Sequence, residues 1–122
     1  MVRPPLYPGR IIYAVAPSGR GQEKTRPMIV AAAMQDIAKN GRFPAVVCSH
    51  TFVEPLKPSE VRLSLDPAVR TYTKFAQETV AVCDWIEIIQ NADIKGDVGG
   101  RVPPNLLRRI LQIAGITLPR TR

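Results

Sequence analysis

A chain of 122 residues, 45% hydrophobic and 22% charged, has the length of a single domain and the composition of a folded globular protein, not of a disordered one. Seventeen Lys and Arg against ten Asp and Glu leave a net charge of +7, which concentrates polyanions around the protein and points to nucleic acid or an acidic protein as partner. Two cysteines, Cys48 and Cys83, each inside an apolar run, fall short of the disulfide-dense pattern of small secreted domains and read as structural thiols in a reducing cytoplasm.

The opening segment MVRPPLYPGR has prolines at positions 4, 5 and 8 and no apolar stretch of signal-peptide length. The longest hydrophobic run, Met28 to Met34, is far shorter than the ~20 residues that cross a bilayer as a helix. A soluble protein with no membrane contact is expected. GRIIYAVAP (9–17) and PMIVAAA (27–33) are short apolar runs bounded by Gly or Pro, the pattern of buried strands. Between them lies a solvent-directed loop, SGRGQEKTR, with Arg20, Lys24 and Arg26. MQDIAKNG (34–41) has the length of a helical turn or two.

AVVCSHTFVE (45–54) is a third apolar run, and EVRLSLD (60–66) alternates, with Val61, Leu63 and Leu65 on one face. These two runs are expected to be adjacent antiparallel strands. After a long polar connection, TVAVCDWIEII (79–89) supplies a fifth strand and the one tryptophan. The end differs. Pro103 and Pro104 suit a first helical turn, and Leu106, Leu107, Ile110, Leu111 and Ala114 recur at helical spacing until Gly115, a left-handed terminator. Arg108 and Arg109 fall on the opposite face. The expected fold is mainly β (α+β): one domain over residues 1–122, a small, strongly bent antiparallel sheet or open barrel packed against helix 103–114.

Most standard chemical signatures are missing from the chain. One histidine, His50, and two separated cysteines do not make a zinc ligand set, and no acidic run suggests calcium, so neither metal nor cofactor is implied. GRGQEKT lacks the Gly-Lys-Ser/Thr spacing of a phosphate-binding P-loop. A Ser/His/Asp triad would need His50, which as a strand residue next to Ser49 points to the opposite face.

The order of these segments resembles the MazF/PemK-like toxins of bacterial toxin–antitoxin systems, from Pro8 to about Ile116. PGRIIYAVAP stands at that family's opening strand. GQEKTRPMIV is similar to its Gly-x-Glu-Gln-x-x-x-Arg-Pro signature, and AVVCSHT to the strand ending at a catalytic Thr or Ser. VAVCDWIEII is similar to the Val-x-Cys-Asp segment of the PemK branch, and GRVPPNLLRRIL to the start of the last helix. The resemblance implies a compact SH3-like barrel and a metal-independent endoribonuclease that cuts single-stranded RNA at specific short sequences. It also implies a homodimer in the bacterial cytoplasm, neutralised by an acidic antitoxin.

Carried over residue by residue, the resemblance assigns catalysis to Arg26, Thr51 and Asp84, and RNA contacts to Arg20, Gln22, Lys24, Thr25 and His50. RNA cleavage without metal uses the 2′-hydroxyl as nucleophile, so the site must move a proton and stabilise charge on the phosphoryl oxygens. A guanidinium suits the second task, because it is permanently charged and forms two parallel hydrogen bonds to a phosphate. The PemK branch has a first-loop His where this chain has Arg20 and an Arg where it has Val82, and Arg10 replaces the family's opening Asp. The Arg26/Thr51 pair is therefore the primary assignment. Two other readings use the same barrel: a catalytically weak nucleic-acid-binding module, and a toxin that poisons DNA gyrase.

Overall fold

Continuous apolar runs are buried on both faces, whereas alternating ones bury a single face. In the computed structural model, which describes residues 5–20, 24–63, 78–95 and 99–119, the first three strands are of the continuous kind. They are β1 (Ile11–Val15), β2 (Thr25–Val30) and β3 (Arg42–Ser49). Ile12, Met28, Val30 and Val47 pack into a cluster on one side of the sheet, and Ile11, Ile29 and Val46 into a second cluster on the other. Each such fully buried aliphatic side chain contributes ~1.5–3 kcal/mol relative to exposure.

β4 (Glu60–Leu63) and β5 (Thr79–Gln90) complete an open five-stranded sheet in the order β1-β2-β3-β5-β4, every neighbour antiparallel. The outer edge of β1 is covered by the chain returning after β5: the Lys95 and Gly99 amides donate to the Tyr13 and Ile11 carbonyls, each at 2.7 Å. Covering that edge removes a row of unpaired amides. A short 3₁₀ turn, Asn91–Asp93, starts the return.

The strand order corrects one expectation. The runs 45–54 and 60–66 are not neighbours, because β5 lies between β3 and β4. Alternation tells which face a residue takes and says nothing of which strand lies beside it. At 12 residues β5 is long enough to serve both partners. The two early strands are also displaced from the expected spans, to Thr25–Val30 and Arg42–Ser49. Residues 64–66 of the expected fourth strand lie outside the described residues.

β5 changes register partway along. Val46 faces Ile86 and Cys48 faces Ala81, so one β3 residue, Val47, stands against four of β5, Val82 to Trp85. The surplus of three is odd, and an odd slip exchanges the two faces of a strand. Ala81 and Cys83 consequently join the second cluster, while Trp85 and Ile89 join the first. One alternating sequence thus feeds both cores.

Helix α1 (Met34–Asn40) forms from the segment expected to be helical, buries Ile37 and stops at Gly41. Helix α2 (Pro104–Ala114) starts with Pro104 in its first turn and ends at Gly115, whose φ of 75° is left-handed. Its Ile110 and Leu111 close the second cluster, with Leu106 and Leu107 packed against it, and Arg108 and Arg109 are exposed. Ile110→Ala is expected to destabilise the fold by ~2–5 kcal/mol, and the exposed Gln112→Ala by under ~0.5 kcal/mol. Urea unfolding followed by circular dichroism checks both.

Candidate functional site: a cavity where two strands part

The site begins with a missing amide. In β2 the Val30 N–H donates to the Arg10 carbonyl of the flanking chain, at 2.9 Å, whereas the Ala31 N–H donates towards β3, to the Pro44 carbonyl, at 3.0 Å. Amides alternate along a strand, so odd-numbered residues here address β3 and even-numbered ones address β1. Position 27 is odd, and it is a proline with no N–H to give. β2 stays paired to β1 as far as Thr25, but its pairing with β3 ends at Met28 opposite Val47.

Beyond that point the strands part around a cavity of about 120 Å³. Lys24, Thr25, Arg26 and Pro27 form one wall, and Ser49, His50 and Thr51 the other, with Tyr13 and Cys48 also lining it. Thr51 is fixed by a turn at the end of β3. Ser49 Oγ accepts from the Thr51 N–H at 3.0 Å and donates to the Thr51 carbonyl at 2.9 Å, a serine turn that competes with continued strand pairing. Because the strand ends at Ser49, both Ser49 and His50 face the cavity, contrary to the opposite-face expectation. Thr79 Oγ1, fully buried, lies 2.7 Å from His50 Nδ1.

Arg26 is half-buried, not simply solvent-facing, and its guanidinium carbon stands 5.2 Å from the centre of the Trp85 ring. Arg20 lies over the same ring at 4.4 Å. Each cation over indole contributes ~0.5–2 kcal/mol, and together they hold two positive groups close to each other.

The ring is itself held from below: Trp85 Nε1–H donates to Glu87 Oε2 at 2.7 Å. Ser18 donates to the same carboxylate twice, from its hydroxyl at 2.6 Å and its amide at 3.2 Å. Glu87, only 5% exposed, therefore ties the loop after β1 to β5. Burial by itself would raise the Glu87 pKa, but the hydrogen bonds from Ser18 and Trp85, with the nearby Arg20 charge, outweigh it and hold the pKa below the ordinary value.

The thiols are free and buried. Burial, then the neighbouring Cys83, pushes the Cys48 thiol far up, and burial, then Asp84, pushes Cys83 to about 11 against a lowering by Arg109. Neither offers the thiolate that nucleophilic chemistry requires. Burial, then Cys48, also raises the Tyr13 phenol.

Of the residues singled out in the sequence, Arg26, Thr51, Lys24, Thr25 and His50 come together in the cavity. Arg20 sits on Trp85 outside it, Asp84 lies on the exposed face of β5 and is not part of the lining, and Gln22 lies outside the described residues. Sequence reasoning missed Trp85, Glu87 and Thr79. The signal for Glu87 was present as a lone carboxylate inside the apolar run WIEII, where a charge is kept only with partners.

No family model and no curated protein sequence matches the chain. Solved structures do. A MazF from Deinococcus radiodurans is 16% identical with a TM-score of 0.70, covering 94% of this chain and 96% of its own. A MazE–MazF complex from the same organism is 15% identical with a TM-score of 0.67 over 94% of each chain. An endoribonuclease in complex with its cognate antitoxin from Mycobacterial species is 18% identical with a TM-score of 0.65 over 92% of each chain. The chain has the MazF fold.

Two outcomes test this geometry. Pro27→Val, which restores a donor facing β3, is expected to make the amide of residue 27 slow to exchange with deuterium and to narrow the cavity. Glu87→Gln is expected to be less stable than wild type at neutral pH. Because the folded Glu87 pKa lies below the ordinary 4.5, its contribution is complete above that value and disappears as pH falls through the folded one. Urea unfolding at a series of pH values should show the gap between the two proteins closing below 4.5.

Proposed function

We propose that the chain is a metal-independent endoribonuclease toxin of the MazF/PemK kind, cutting single-stranded RNA at short sequences in the bacterial cytoplasm. The observation that carries this reading is the convergence of Arg26 and Thr51 on one cavity. The 2′-oxygen of the ribose attacks the adjacent phosphorus, leaving a 2′,3′-cyclic phosphate and a 5′-hydroxyl. Negative charge grows on the non-bridging oxygens as it does so, and Arg26 answers it with a fixed cation and a bidentate fork. Thr51, locked by Ser49, donates a hydroxyl to the same phosphate. Deoxyribose lacks the nucleophile, so DNA is not cut. Asp84 is outside the cavity and is assigned no step.

The net charge of +7 draws in RNA and equally the acidic tail of an antitoxin; solved structures of this fold include toxin–antitoxin complexes. Ile86 and Ile88 on β5, with Ile113 on α2, leave apolar surface exposed that a second copy of the chain covers in a homodimer.

Purified protein with excess EDTA should cleave a random single-stranded RNA pool. Arg26→Ala is expected to lower the rate by ~10²–10³, the loss typical of a removed oxyanion donor, and Arg26→Lys to remain strongly impaired because the fork is gone. Thr51→Ala should lose less, and the double variant much less than the two losses combined, as for groups acting on one transition state. Asp84→Asn should cut normally. Expression of the wild type, but not of Arg26→Ala, should arrest bacterial growth. A folded wild type that binds RNA and cuts none would leave a nucleic-acid-binding module in place of the enzyme.

A further inference from the structure

The strand ladder holds position 26 on one side. Arg26 stands opposite Ala14 in the pairing of β1 with β2, whereas the pairing of β2 with β3 ends at Met28. The ladder therefore fixes where the side chain starts. The long stem beyond it must still be ordered, at an entropic cost that for arginine is among the largest of any side chain. Trp85 supplies a second restraint: the Arg26 guanidinium carbon stands 5.2 Å from the centre of its ring, and indole is the aromatic face that attracts a cation most strongly.

The ring is in turn anchored. Trp85 is 8% exposed and belongs to the first cluster. Its orientation is set by the Nε1–H bond to Glu87, whose carboxylate also accepts twice from Ser18. Any acceptor satisfies a buried indole N–H. A carboxylate does more, because hydrogen bonds in a chain polarise one another, and an anion at the nitrogen pushes electron density into the ring that faces the cation. Filling the core requires neither the anion at the nitrogen nor the guanidinium at the face.

From this geometry we infer that Trp85 is the positioning residue of Arg26 and that Glu87 acts through Trp85, a reading that rests on the nuclease assignment above. Neither residue touches the substrate. The indole limits where the guanidinium goes before RNA arrives, so less ordering remains to be done as charge grows on the phosphoryl oxygens. Its effect therefore falls on kcat and not on KM. Arg20 lies over the same ring at 4.4 Å, so the test separates the two arginines.

The test is a double-variant cycle on an oligoribonucleotide carrying a site mapped from the random pool. Trp85→Leu is expected to lower kcat ~2–30-fold, the range of a lost cation–π contact, with KM within about twofold of wild type. Trp85→Phe, which keeps an aromatic face, should regain part of that loss, and Glu87→Gln should show a smaller loss than Trp85→Leu. Combined with Arg26→Ala, Trp85→Leu should cost nothing further, and combined with Arg20→Ala its loss should persist. A loss of equal size in all three backgrounds is a merely structural effect and overturns the inference. So does a loss that disappears with Arg20→Ala, or no loss at all. If Trp85→Leu does not fold, Trp85→Phe and Glu87→Gln carry the same cycle. A wild type that cuts no RNA overturns the nuclease reading itself, and this one with it.

Discussion

Antiparallel strands are held together by amides that alternate between two neighbours, and in this protein a single withheld amide lies where β2 and β3 part. Pro27 sits where an N–H should reach β3. One residue further on, Met28, Ile29 and Val30 are entirely buried and fully paired, so the sheet passes from its most rigid part to an opening within a single step. An arginine rooted beside such a frame keeps its place, whereas one on a free loop would have to be ordered before it could meet an anion.

The frame is extended by the slip in β5. Had β5 kept one register, its odd-numbered side chains would all have filled the second core, and Trp85 and Glu87 would have lain on the wrong side of the sheet for the basic loop. The surplus of residues at 82–85 turns them over. The carboxylate of Glu87 then accepts from Ser18 and from the indole, while the indole carries Arg20 and Arg26. The nearby Arg20 charge in turn favours the ionised form of the buried Glu87 carboxylate. A structural device of the core thereby controls the placement of groups at the surface.

Much of this was legible in the residues, and the limits follow from physics. The five strands, the helix from Pro104 and its glycine stop could be read because period and punctuation are local properties. Neighbour order could not: the sequence of EVRLSLD says which side chains are inward and nothing of the strand that will lie against them. The RP step at 26–27 falls where the strands part around the cavity, but the reason was hidden, since a proline's effect on a ladder depends on the parity of its position in a sheet not yet assembled. His50 and Thr79 are 29 positions apart, and a contact over that separation leaves no trace in either neighbourhood. Asp84 shows the converse, a residue that matches a pattern by its flanking letters while its side of the strand takes it elsewhere.

The lone tryptophan of the chain is the ring on which both arginines rest, with a carboxylate at its indole nitrogen. Indole emission is sensitive to adjacent cations, to hydrogen bonding at nitrogen and to exclusion of water. The molecule thus contains a single indole, one side chain removed from the cavity. Its spectrum and quenching report the placement of Arg20 and Arg26 over the ring without any added label.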